Sequence, residues 1–258
     1  MELLAFLEWQ MIPLFFIGIL TGILAGFFGI GGGAVLVPLV MLLGYDIKIA
    51  IGISIMQMIF SSIYGSYVNY KLGLLALKDG IFIGIGGLIG ASFSGAVVDF
   101  TPSIVLEVAF SCFVIYSLIK LFKAKPQGGE CRLSDGIIQK AFLILCGAII
   151  GVFAISLGIG GGIMIAPLLA YYLGYDTKKI VPIALFFVIF SSISGFTSLA
   201  FYGYADFKSG ILVGIASLIG VRLGIYLLSK ANFKAHKNAL LIMYIIVLSV
   251  MLKKIFLP

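Results

Sequence analysis

Charge is scarce in this chain: 10% of its 258 residues are charged against 62% hydrophobic, and the mean hydropathy is +1.24. So little polar surface cannot coat a water-soluble globule of this size, which leaves a membrane as the solvent. Cysteine is rarer still. Cys112, Cys131 and Cys146 form no CxxC pair, are odd in number, and two of them lie inside apolar runs, so no disulfide framework, metal site or redox centre is expected. The single histidine, His236, falls in a basic loop, where a surface position is expected. HExxH, GxSG and GxxxxGK[ST] are all missing, which argues against intramembrane proteolysis and excludes an ATPase on this chain. No catalytic residue, metal ligand or cofactor is therefore expected. The N-terminus, MELLAFLEWQM, has Glu2 and Glu8 where a cleaved signal would be basic, and no small-residue cleavage site follows, so the first segment is expected to stay.

What is present is apolar run after apolar run, at 11–43, 49–70, 79–98, 103–122, 137–173, 180–202, 209–229 and 237–252. Most approach the roughly 20 residues that a helix needs to cross a bilayer, and two are too long. The alternation of a transmembrane barrel is absent. The class is an all-α polytopic membrane protein with eight hydrophobic segments. Its net charge of +7 comes from Lys and Arg scattered through short loops, which makes them topology determinants and gives no reason to expect a nucleic-acid partner.

The chain repeats itself. Gly29-Ile30-Gly31-Gly32-Gly33 and Pro38 fall on Gly158-Ile159-Gly160-Gly161-Gly162 and Pro167 at an offset of 129. After a one-residue slip, Gly44-Tyr45-Asp46 falls on Gly174-Tyr175-Asp176, and Ile59-Phe60-Ser61-Ser62-Ile63 on Ile189-Phe190-Ser191-Ser192-Ile193, followed by four further glycine pairs. Residues 1–122 and 137–258 are thus two repeats of four segments, joined by a polar linker at 123–136.

This order of motifs, a GxGGG followed by Pro, a Ser-containing second helix and a glycine-spaced third helix in both halves, resembles the sulfite exporter TauE/SafE family, also called TSUP. The resemblance runs from about residue 14 to 250. It implies a multi-pass protein of the bacterial inner membrane that moves small sulfur-containing or organic anions. Its motifs hold glycine, serine and proline, so they identify the family better than the substrate.

Two topologies fit. As one helix, segment 11–43 would be about 50 Å long, against a hydrocarbon core of about 30 Å. If both glycine-broken segments cross, the halves are parallel and the linker side holds ten basic residues against six. If each is a re-entrant hairpin, the halves are inverted and the linker side holds twelve against four. Basic loops favour the cytoplasm, so the linker is inside either way and the larger asymmetry prefers the inverted arrangement.

Unwound backbone at membrane depth is tolerated only where it is packed in protein or lines a cavity. In each GIGGG run a new half-helix is expected to start, near Ala34 and Ile163, and a helix N-terminus offers unpaired N–H donors with about half a positive charge. Two such ends meeting near the midplane would hold an anion without a cationic side chain. Gly31, Gly32, Gly33, Gly160, Gly161 and Gly162 are the candidate substrate residues, joined by Gln57, Ser61 and Ser191 as hydrogen-bond donors. Serine in a helix also bonds back to its own backbone, which competes with that role.

Arg222, the one basic residue inside an apolar run, either attracts the anion from the cytoplasmic side or snorkels to the headgroups. Gly84, Gly86, Gly87, Gly90, Gly214 and Gly220 read as helix-packing residues. Asp46 and Asp176 read as helix caps, and Asp99 and Glu107 as solvated interface residues. The expected function is secondary transport of a small anion, coupled to protons or another ion; a passive anion channel or a non-transporting scaffold is the alternative.

Overall fold

The computed structural model describes residues 2–75, 77–123, 136–173 and 177–256. The linker, apart from its two ends, and Asp176 lie outside the described residues. Eleven helices run through them: α1 (Glu2–Phe28), α2 (Gly33–Leu42), α3 (Ile47–Lys71), α4 (Leu77–Ala91), α5 (Ser94–Phe100), α6 (Ser103–Lys123), α7 (Ile137–Ser156), α8 (Gly162–Leu173), α9 (Thr177–Phe201), α10 (Phe207–Lys230) and α11 (Phe233–Phe256). Among the described residues there is no strand, and eight spans are long and apolar enough to cross a membrane, α4 and α5 counting as one. The apolar run 79–98 gave no sign of the turn at Ser92–Phe93 that separates those two.

Helix ends follow local chemistry. Asp46 caps α3 by accepting the Lys48 backbone N–H at 2.8 Å, and Asp206 caps α10 through the Ser209 N–H at 3.1 Å. The first of these was expected. At ten residues and about 15 Å, α2 is too short to cross by itself.

Small residues set the helix contacts. Gly18, Gly22 and Gly26 of α1 press on Val213, Ser217 and Val221 of α10 in rising order, so these two helices run the same way. Their repeat partners do likewise: Gly86 and Gly90 of α4 meet Ile144 and Ala148 of α7. A Cβ at Gly22, Gly86, Gly90 or Gly220 would overlap backbone of the neighbouring helix, and at Gly84, Gly87 and Gly214 it would meet a phenylalanine ring. All the glycines expected to serve packing therefore do so.

The central pair, α3 and α9, runs in opposite senses. Gly65 of α3 stands against Leu185 near the start of α9, whereas Met58, earlier on α3, and Val188, later on α9, both meet a Cβ placed on Gly31. By contrast α1 and α3 point the same way, since Ala25 near the end of one clusters with Tyr64 and Val68 near the end of the other. The stretch from Gly29 through α2 returns the chain between them. Outward-facing apolar residues such as Phe16, Phe100 and Phe201 are exposed, as suits a lipid solvent.

At the end opposite the linker a polar clamp ties the loops together. Tyr204 donates to the Asp99 carboxylate at 2.7 Å, Lys48 Nζ donates to the Asp99 carbonyl at 3.0 Å, and Ser103 donates to Asp46 at 3.1 Å. The bond to Asp99 pushes the Tyr204 phenol above its usual range. Asp99, expected as a solvated side chain, is instead a tie point.

Candidate functional site

The two glycine runs break their helices as the sequence suggested, with the new helices starting at Gly33 and Gly162, one residue before the expected points. Gly32 caps α2 at φ +85° and Gly161 precedes α8 at φ +74°, a left-handed conformation that a side chain would strain. The breaks meet each other. A Cβ at Gly33 would overlap the Gly158 carbonyl, one at Gly162 would overlap the Gly29 carbonyl, and one at Gly160 would lie 2.5 Å from the Ile30 carbonyl. The two segments thus pass in opposite directions in direct backbone contact, and only glycine permits that approach.

Side chains from the middle of α3 close around them. Ser54 donates to the Gly158 carbonyl at 2.9 Å, and Ser61 to the Gly31 carbonyl at 3.3 Å. The Met58 thioether lies between the breaks: a Cβ on Gly31 would be 2.9 Å from its Cγ, and one on Gly160 2.8 Å from its Sδ. Gln57 shares this stripe of α3, three residues after Ser54 and four before Ser61. It is 0% exposed, and neither its Nε2 nor its Oε1 has a hydrogen-bond partner among the described residues.

The remaining candidates separate. Ser191 is buried on α9, but its hydroxyl bonds back to the Phe187 and Val188 carbonyls of its own helix. Arg222 is exposed on α10, whereas the glycines of both breaks are buried. Ser54 and Met58 escaped the sequence reading because their repeat partners, Ala184 and Val188, are neither polar nor flexible, so the duplication gave them no emphasis. His236 departs from the expected surface position. It is half-buried, with its ring 5.1 Å from Phe27 and 5.2 Å from Phe28, at the end of α1 just before the first break.

A chain of paired glycine breaks in an apolar helical bundle can be set beside known proteins. The model of the family described as Sulfite exporter TauE/SafE matches residues 14–251. The chain belongs to this family. Among curated proteins, it is 32% identical to the probable membrane transporter protein MJ0441 of Methanocaldococcus jannaschii, over 92% of each chain. It is 28% identical to the probable membrane transporter protein YdhB of Bacillus subtilis, over 80% of this chain and 85% of the relative, and 25% identical to YunE of the same organism, over 84% and 88%. No solved structure matches it. As a TauE/SafE family member it is a multi-pass membrane transporter, and the names of its relatives point to transport rather than to catalysis.

Proposed function

We propose that this TauE/SafE transporter is a secondary carrier that moves a small anion, sulfite, a sulfonate or another sulfur-containing or organic anion, across the cell inner membrane, coupled to protons or another ion. The anion is held where the N-termini of α2 and α8 come together. The observation that carries this reading is the antiparallel meeting of the two GIGGG breaks against the middle of α3, since two helix N-termini there offer N–H donors and about half a positive charge each. Within that site Ser61 bonds to the first break, and Gln57 shares its stripe of α3. Ser191, turned onto its own helix, steadies α9, and Arg222 attracts the anion from the linker side rather than contacting it when bound.

The same reading treats 1–122 and 137–258 as inverted repeats, each with its first segment re-entrant through the glycine break, and the 123–136 linker as cytoplasmic. Opposite senses of α3 and α9, the return of the chain through α2, and twelve basic residues on the linker side against four support it. A reporter after Pro258 and one inserted near Gly128 are expected on opposite sides; the same side would exclude inverted halves. In proteoliposomes the wild type should give saturable anion flux, and Gly161→Leu should abolish it in protein that still inserts and elutes as a single species. Flux that never saturates would indicate a channel, and retained flux in the variant would remove the half-helix site.

A further inference from the structure

The two half-helix ends are not alike. Gly161, at the start of α8, is packed by Phe187, Ile150 and Ala154, all apolar. At the start of α2, Gly32 stands against the backbone and Cβ of Thr21, the repeat partner of Ile150, with the Thr21 hydroxyl turned back onto Ile17 and Gly18; Gly33 faces the Ser54 hydroxyl, and the repeat partner of Phe187 is Gln57. In the repeat register an amide on α3 therefore matches the aromatic ring of α9 that covers the start of α8. Three neighbours on its stripe, Ser54, Met58 and Ser61, touch the breaks.

Gln57 is fully buried with both ends of its amide lacking a partner among the described residues, and a buried polar group of this kind is retained where something else completes its bonds. Its NH2 group can donate to an oxyanion. Its carbonyl can only accept, so it asks the ligand for an O–H or N–H. The charge balance points the same way: two helix ends supply about one positive charge together, and the basic residue inside an apolar run, Arg222, is exposed. One negative charge is matched and a second is not.

Resting on the anion-site reading above, we propose that the bound ligand is a singly charged oxyanion that also donates a hydrogen bond, that is, a protonated oxyacid or a hydroxy- or amino-substituted sulfonate or carboxylate. Gln57 reads the donor at the α2 end, and the Phe187 end contributes no polar recognition.

The test is uptake of 2-hydroxyethanesulfonate, ethanesulfonate and sulfate into proteoliposomes holding the full chain at one pH. The hydroxylated sulfonate should enter about ten-fold faster than its plain analogue at low concentration, with sulfate slower than both. Gln57→Leu removes the amide at nearly constant volume. It should bring the two sulfonates within about two-fold of each other while the thermal unfolding midpoint holds or rises. If wild type carries both sulfonates equally, or prefers sulfate, in flux that Gly161→Leu abolishes, the anion site stands and this inference falls. Full selectivity retained in Gln57→Leu removes Gln57 as the reader. No flux of any of the three anions overturns both the site and the inference.

Discussion

The start of α2 has a serine hydroxyl beside it, where the side chains nearest the start of α8 are apolar. Thr21, Ser54 and Met58 lie against Gly32 and Gly33 at the start of α2, whereas Phe187, Ile150 and Ala154 pack on Gly161 at the start of α8. The backbone has been kept in duplicate: both breaks have left-handed glycines, both start a half-helix, and each lays its carbonyls against the other's glycines. The side chains around them have diverged. On the proposed anion-site reading, the two breaks supply two helix ends while a single half supplies the groups that discriminate, because backbone N–H groups are common to any sequence and selectivity is not.

The comparison breaks most severely where the halves agree. Gly32→Leu and Gly161→Leu should each abolish flux, since Leu would have to adopt positive φ at either position, and at Gly32 its Cβ would lie 2.5 Å from the Thr21 carbonyl. A large difference between the two variants in flux per folded molecule would show that only one break is needed. Next comes Met58→Ala, which empties the space between the breaks and should cost about 2–5 kcal/mol in unfolding measurements, with Val188→Ala costing less. Equal losses would mean that the methionine has no special place.

Smaller effects sharpen the polar contrast. Ser54→Ala deletes a buried bond to the Gly158 carbonyl and should cost about 1 kcal/mol, while the second half already carries Ala184 at the matching position. Smallest of all, Ser61→Ala should lower stability by a few tenths of a kcal/mol more than Ser191→Ala, because only Ser61 bonds beyond its own helix. A thermal-shift series in one detergent orders these variants, and Ser191→Ala costing more than Ser54→Ala would contradict the assignment.

Much of the fold was legible in the residues. Run lengths located the spans, the repeated GIGGG located the breaks to within one residue, and Asp46 was recognisable as a cap. The turn at Ser92–Phe93 was not, since Ser and Phe inside an apolar run carry no breaker signal. Nor was the placement of His236, whose basic neighbours suggested solvent while its ring packs on Phe27 and Phe28. At the site, Gln57 and Ser61 were identifiable as polar residues at depth, but Ser54 and Met58 were not, and Ser191 looked equivalent to Ser61 because the Phe-Ser-Ser-Ile stretch is the same in both halves.

The sequence by itself determined the membrane class, the duplication and the points where helices must break. Those follow from the solvent: lipid fixes how long an apolar run must be and forbids unwound backbone that is not packed or lining a cavity. Only the tertiary structure decided that the two breaks lie against each other, that α3 and α9 cross in opposite senses, and that Gln57 is buried while Arg222 is exposed. In a water-soluble helix the apolar stripe announces the buried face, but these helices are apolar all round, so which face turns inward is settled by close glycine contacts between residues far apart in the chain.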